Sequence, residues 1–273
     1  MNVKEIRVKS CMTKSKLTDY VINPYTGCEH GCKYCYADFI RIFQNIKDKW
    51  GDFVFIKANC PELLIKELEK NKPGHIWMSS VCDCYMPLEE KYKLTRKILE
   101  IIANSPYKNK FTIEILTKSA LVRRDFDLLK KLNAELGLSI NNLDEKTARI
   151  LEPFASSPSE RIKTLKEAKK SGIRVFGFIS PVFPGITNLE DIFKELSFCD
   201  YVWVEFLNMK KSVLNRLMPI IRDNFPDKVG DFEFAINNPE EYHEKMKKQV
   251  RELEKKYKLK VIEIVIHQEL NLK

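Results

Sequence analysis

Short strand-like apolar runs alternate with longer helical ones along most of the chain, a βαβα rhythm that confines the fold to a parallel sheet covered by helices. Period-two runs mark strands at 19–23, 53–57, 75–80, 111–116, 136–141, 174–179, 201–206 and 261–266. Helical patterns fall at 61–70, 88–104, 121–132, 159–171, 189–198, 211–223 and 239–257. Phe39, Ile40, Phe43, Ile46 and Trp50 share one face of a further helix. Ser157 with Glu160, with Pro158 at the first helical position, and Thr187 with Glu190 read as capping boxes. Pro and Gly cluster at 181–185 and 225–230, which read as loops within one domain spanning 1–273. The expected architecture is α/β, a partial (β/α)6 TIM-type barrel of parallel strands over about 17–225. Short N- and C-terminal extensions flank it, the latter a helix and strand over about 231–273. Such folds place their chemistry in loops at the C-terminal strand ends.

A chain of 273 residues with 44% hydrophobic content can bury a large core. The basic N-terminus lacks the apolar run of a signal peptide, and no stretch reaches the ~18 apolar residues that span a bilayer. The expectation is a cytoplasmic protein with no membrane association. Eight cysteines are too few for a disulfide scaffold in so long a chain. The net charge of +9 tolerates a nucleic-acid partner. It is largely mixed-sign, however, and the Lys/Glu interleaving of 242–260 reads as a solvated helix face.

Three of the cysteines, Cys28, Cys32 and Cys35, sit in NPYTGCEHGCKYCYADF. Three closely spaced thiolates make an incomplete site: a cubane iron–sulfur cluster takes four ligands, and three sulfurs leave one iron open to something that is not protein. Gly27 and Gly31 allow the backbone turns that wrap such a loop round a cluster. The alternative is a Cys3His zinc site using His30, although four ligands within eight residues crowd a tetrahedral ion.

The C-x3-C-x2-C spacing, with Tyr34 before the last cysteine, resembles the radical S-adenosylmethionine (SAM) superfamily. The segments ILTKS at 115–119, LSINN near 140, LEPFASSPSERI at 151–162 and GIRVFGFISPVF at 172–183 look like its spore photoproduct lyase, or DNA repair photolyase-like, branch. The resemblance implies a 4Fe-4S cluster on Cys28, Cys32 and Cys35. An electron from a ferredoxin or flavodoxin would cleave S-adenosyl-L-methionine to a 5'-deoxyadenosyl radical that abstracts hydrogen from a substrate. It also implies SAM contacts for Lys118, Ser139 and Asn141, and a place for Tyr34 and Tyr36 against the cofactor or radical path. These residue types suit that work: Lys118 closes an apolar strand with a cation fit for a carboxylate, and Ser139 and Asn141 offer hydrogen bonds from one strand face. Without the resemblance, a surface lysine and two strand-end polar residues would be the plainer reading.

The segment HIWMSSVCDCYMP departs from the pattern. If its strand continues, Cys82 and Cys84 share a face with Met78 and Ser80. Cys82 is then a hydrogen-atom donor, as the resemblance implies; a second metal site with Cys11, Cys60 or Cys199, or ordinary buried thiols, are the alternatives. No Gly-Gly-Glu segment is present for the SAM amino group, and Ser79, Ser80 or Asp83 are its substitutes. Arg161 is expected to pair with Glu152 or Glu160. The leading functional reading is a lyase-like or modifying radical SAM enzyme acting on a substrate that includes nucleic acid among its candidates. The competing one is a non-enzymatic iron–sulfur or zinc protein serving as electron carrier or nucleic-acid scaffold.

Overall fold

A computed structural model describes residues 1–267; the last six residues of the expected C-terminal extension lie outside the described residues. The strands are β1 (Asn2–Ile6), β2 (Met12–Lys14), β3 (Tyr20–Ile22), β4 (Tyr25–Thr26), β5 (Phe53–Lys57), β6 (Gly74–Met78), β7 (Phe111–Thr117), β8 (Glu135–Ser139), β9 (Arg174–Val182), β10 (Tyr201–Phe206) and β11 (Val261–Val265). The main sheet has the order β11-β10-β9-β8-β7-β6-β3-β2, in which β3 and β6 through β10 are six parallel neighbours. β11 adds in parallel to β10, and β2 adds antiparallel to β3. The expected strand at 53–57 forms but leaves this sheet: β5 pairs with β1 and β4 in a small sheet beside the cysteine loop.

The main sheet is curled into an open barrel. Four strand spacings separate β6 from β10, about 19 Å in a flat sheet, yet the Trp77 and Trp203 rings meet edge to face with centroids 6.1 Å apart. Alternate residues therefore face two different cores. Ile76, Met78, Ile113, Ile115, Leu136, Leu138, Val175, Val202 and Val204 point outward and pack with helix residues such as Leu64, Ile98, Leu165 and Phe193. Phe176, Phe178, Tyr201, Leu116 and Trp203 fill the lumen. Gly137 makes room there, since a Cβ on it would fall 2.2 Å from the Phe176 ring.

Four helical expectations are corrected, the first being that at 121–132, which runs as a 3-10 helix over Ala120–Asp125 and is α-helical only over Phe126–Lys131. The helix expected to run from Phe39 toward Trp50 stops at Phe43, and Asn45 takes a left-handed φ of 51°. The 88–104 helix is two, Leu88–Tyr92 and Leu94–Asn104, broken where Lys93 takes φ 50°. Ser157 caps Pro158–Lys170 as expected, its hydroxyl accepting from the Glu160 amide. At Leu189–Leu196 the cap is Asn188 instead of Thr187, because Thr187 Oγ1 donates to the Asn141 carbonyl at 2.8 Å and accepts from the Phe183 amide.

Candidate active site at the C-terminal end of the barrel

The cysteine loop leaves the short β4 and crosses the C-terminal end of the sheet. Gly27 sits at φ 87° with the Phe53 carbonyl 2.4 Å from where a Cβ would be, so the loop turns against β5 only through glycine. Tight turns follow, the Gly31 amide donating to the Cys28 carbonyl and the Cys35 amide to the Cys32 carbonyl at 3.2 Å. The Lys33 amide donates to the Leu151 carbonyl at 2.9 Å and ties the loop to the 145–151 helix. Cys28 and Cys32 are buried and Cys35 is half-buried. Burial first, then Asp83 for Cys28 and Glu152 for Cys32, pushes all three upward from the ordinary thiol range. Lys118 and Arg161 act in the opposite sense on Cys32, and Lys118 and Arg216 on Cys35, so this donor set is framed by cations.

His30 is not a ligand of the loop's thiols. Its Nε2 lies 3.2 Å from Asp83 Oδ2 and its Nδ1 lies 3.1 Å from the Phe154 carbonyl, so both ring nitrogens face oxygen acceptors. Asp83 is equally committed: it accepts from Thr117 Oγ1 at 2.6 Å, the Tyr85 amide at 2.8 Å and the Lys118 amide at 2.8 Å. Burial opposes its ionisation, but His30, Thr117 and the Lys118 amide hold its carboxyl down at about 2. Asp83 thus positions the backbone of Lys118 and is no substitute for a free carboxylate facing a ligand's amino group.

A second buried carboxylate, Glu152, organises the other side. Its Oε1 accepts from the Tyr34 phenol and from Asn141 Nδ2 at 2.8 Å, and its Oε2 accepts from Arg161. Arg161, wholly buried, also donates to the Ser156 carbonyl at 2.8 Å and the Ser139 carbonyl at 2.7 Å. Among the two expected partners of Arg161, Glu152 is the one it takes, while Glu160 pairs with Arg123. The Tyr34 ring packs edge to face on Phe183, and Lys118 Nζ lies 5.9 Å from the Tyr34 centroid. Burial alone would lower Lys118, but Glu152 and Cys32 outweigh it and hold the ammonium above its ordinary range. The structure therefore brings Tyr34, Lys118, Ser139 and Asn141 together beside Cys32. The Asn141 amide is fully engaged, with Asn142 Nδ2 donating to its Oδ1 at 2.6 Å.

The donor set fits a cubane cluster: two buried thiols and one half-buried thiol on one loop, with cations beside Cys32 and Cys35 and, among the described residues, no fourth side chain closing the set. Among the described residues no three His, Cys, Asp or Glu side chains are arranged to hold a single ion, whereas cubane ligation asks one sulfur per iron. The sequence profile of the Radical SAM superfamily matches residues 22–196. The chain belongs to the radical SAM superfamily. An uncharacterised protein of Methanocaldococcus jannaschii, MJ0683, is 40% identical over 233 residues, covering 83% of this chain and 85% of that protein. An uncharacterised Mycobacterium tuberculosis protein, Rv2578c, is 24% identical over 259 residues, covering 88% and 75%. Among solved structures, spore photoproduct lyase complexed with dinucleoside spore photoproduct superposes with a TM-score of 0.61 at 16% identity, over 83% of this chain and 67% of that one. The radical SAM methyltransferase TsrM of Kitasatospora setae superposes at 0.50 and 12% identity, over 68% of this chain and 36% of that one. At these identities the structural likeness establishes the radical SAM fold.

Beyond the cluster loop, the end of β6 departs from the expected strand. β6 ends at Met78 and Ser79 turns with φ 73°, so Cys82 and Cys84 do not continue a strand or share its face. Cys84 and Cys60 are fully buried and Cys11 and Cys199 are buried, all within the main apolar core. Cys82 is half-buried, its Sγ 3.5 Å from Ser79 Oγ and 3.7 Å from Asn23 Oδ1. Burial pushes its thiol up to about 11. Tyr36 reaches over from the cluster loop, its phenol donating to the Ser80 carbonyl. Residues that the sequence reading missed complete this rim. Glu205, at the end of β10, accepts from Ser180 on β9 and lies 3.0 Å from His267 Nε2. Asn23, after β3, accepts from the Val81 amide at 3.1 Å and donates to Ser80 Oγ at 3.2 Å. Glu205 and Asn23 carry the same local signal, a polar residue at the end of an apolar strand run.

Proposed function

We propose that this radical SAM protein reductively cleaves SAM and abstracts hydrogen from a nucleic-acid substrate. The observation that carries the enzymatic reading is the convergence of the three-cysteine loop, the Lys118 ammonium and the Tyr34–Glu152–Arg161 network at one end of the barrel. Cys28, Cys32 and Cys35 would hold a 4Fe-4S cluster, which with bound SAM and one electron from a ferredoxin or flavodoxin supplies a 5'-deoxyadenosyl radical. Lys118, half-buried, holds a positive charge suited to a carboxylate. Asp83 fixes the backbone of Lys118, and Glu152 fixes the rings and amides around it. Ser139 sits at the next strand end with its carbonyl clamped by Arg161. Cys82 keeps its hydrogen at neutral pH, the state a hydrogen-atom donor requires, and Tyr36 stands beside it at Ser80.

The nucleic-acid substrate is supported by the dinucleoside spore photoproduct bound in the spore photoproduct lyase structure of like fold, and by a net charge of +9. The test is anaerobic reconstitution with iron and sulfide, then dithionite and SAM, measuring iron, sulfide and 5'-deoxyadenosine. Cluster loading and 5'-deoxyadenosine should both be lost in the Cys28, Cys32, Cys35 triple alanine variant. Lys118→Ala should keep the cluster and lose the cleavage. A loaded wild-type cluster that never cleaves SAM would instead make the protein an electron carrier or scaffold.

A further inference from the structure

The face that begins at Tyr36 is unusual for a soluble protein. Tyr36 and Phe39 are each 42% exposed, Ile42 is 67% exposed and Phe43 is 83% exposed, all within eight residues. Scattered exposed apolar residues need no explanation, but a contiguous patch marks an interaction site. Here the patch is an ordered aromatic row. The Tyr36 and Phe39 rings lie 6.4 Å apart and 26° from parallel, and Phe43 stands edge to face on Phe39 at 5.7 Å. The inner end of the row is the candidate active site itself, where the Tyr36 phenol meets the Ser80 carbonyl. Its outer end is open to solvent.

Positive charge lies beneath the row. The buried Asp38 carboxylate accepts from Arg41 Nε at 3.1 Å and from Arg216 Nη1, so two guanidiniums share one carboxylate and one positive charge is left over. Arg216 is fixed further by donating to the Cys35 carbonyl at 2.6 Å, which ties this charge to the cluster loop. Lys47 and Lys49 follow in sequence and are balanced by Asp48 and Asp52, so the excess charge is the one shared by Arg41 and Arg216. Flat rings over a net positive base are the two elements with which proteins hold single-stranded nucleic acid: bases stack on the rings and the backbone follows the charge.

We propose that Tyr36, Phe39 and Phe43 form a stacking platform for single-stranded nucleic acid flanking the reacting nucleotide. This rests on the nucleic-acid reading above and deepens it. A base whose atoms react must leave its stack, and rings that lead out from the site receive its unstacked neighbours. The excess positive charge favours this occupant over an apolar face of a second copy, and the flat rings favour bases over aliphatic side chains.

The test is equilibrium binding of a fluorescein-labelled, mixed-sequence single strand of about 12 nucleotides, as DNA and as RNA, to the anaerobically reconstituted protein by fluorescence anisotropy at two salt concentrations. Phe39→Ala/Phe43→Ala should weaken binding about tenfold or more, with an unchanged thermal melt and unchanged substrate-free 5'-deoxyadenosine formation. Phe39→Leu/Phe43→Leu, which keeps the apolar surface but removes the flat faces, should weaken it as much, and Phe43→Trp should bind at least as tightly as wild type. Wild-type affinity in the alanine or leucine pair overturns the platform while leaving the nucleic-acid reading intact. If the wild-type protein cleaves SAM but binds neither strand, the nucleic-acid reading falls and the platform with it. Concentration-dependent self-association that the alanine pair abolishes, without strand binding, overturns the proposal by assigning the face to a second copy.

Discussion

Glu152→Gln isolates the buried network that positions Tyr34 and Asn141. Glu152 Oε1 accepts from Tyr34 and Asn141 while Oε2 accepts from Arg161, so all three partners are donors. A glutamine matches the shape but must turn its NH2 toward one of them, placing donor against donor, and it removes the carboxylate that, among the described residues, pairs with the buried Arg161. Breaking a buried pair by removing one partner costs about 3–5 kcal/mol. Arg161 keeps its bonds to the Ser139 and Ser156 carbonyls, which places the expectation at about 3 kcal/mol. In a chain of 273 residues that is a fall of about 6 °C in Tm. Denaturant and thermal unfolding of the reduced, cluster-free protein measure it.

Two controls follow from the same physics. Glu152→Gln/Arg161→Met removes the orphaned charge as well, so it should be no less stable than Glu152→Gln alone. The carboxyl of Glu152 is held below its ordinary range: burial opposes ionisation, but Arg161, Lys118 and Tyr34 outweigh it. A depressed carboxyl contributes its stability above the unfolded value, about 4.5, and loses it as pH falls through the folded value. The difference between wild type and Glu152→Gln should therefore be full at neutral pH and shrink toward acid. A loss under about 1 kcal/mol at neutral pH, or a double variant that sums the two single losses, would refute the network as the organiser of this side of the site.

Asp83→Asn should destabilise by about 2 kcal/mol at neutral pH, the equivalent of lowering a carboxyl from 3.8 to about 2. The wild type should lose that same contribution between about pH 4 and pH 2, as a two-pH denaturant comparison would show. Cys82→Ser should leave 5'-deoxyadenosine formation in place and cut substrate conversion by tenfold or more, about 1.4 kcal/mol or greater in the barrier; equal loss of both would place Cys82 in cofactor binding instead. Gly137→Ala should cost about 1–3 kcal/mol by overpacking, because its Cβ would meet the Phe176 ring, itself stacked on Tyr201 with centroids 5.1 Å apart; unchanged denaturant midpoints would show that the lumen rings give way freely.

What the sequence made legible was chemistry carried by neighbours along the chain. The cysteine spacing, the two glycines at φ 87° and 62° and the six parallel strands all depend on periodicities of a few residues. The network that makes the loop a site does not: Tyr34 meets Glu152 across 118 residues, and His30 meets Phe154 across 124. Nothing local distinguishes a histidine offered to a metal from one closing such a distance. Thr187 shows the same competition, its capping hydroxyl taken by a carbonyl 46 residues away. The helix expected from Phe39 toward Trp50 fails for a different reason. An apolar stripe implies a partner surface, and the sequence cannot say whether that partner lies in the same chain. Phe43 finds none among the described residues and stands exposed, while Phe39 turns its ring toward Tyr36 at the mouth of the site. Ile40 and Trp50 of the stripe are covered by the chain itself, whereas Phe39 and Phe43 line up with Tyr36 at the mouth of the candidate site, the arrangement that the proposed stacking platform requires.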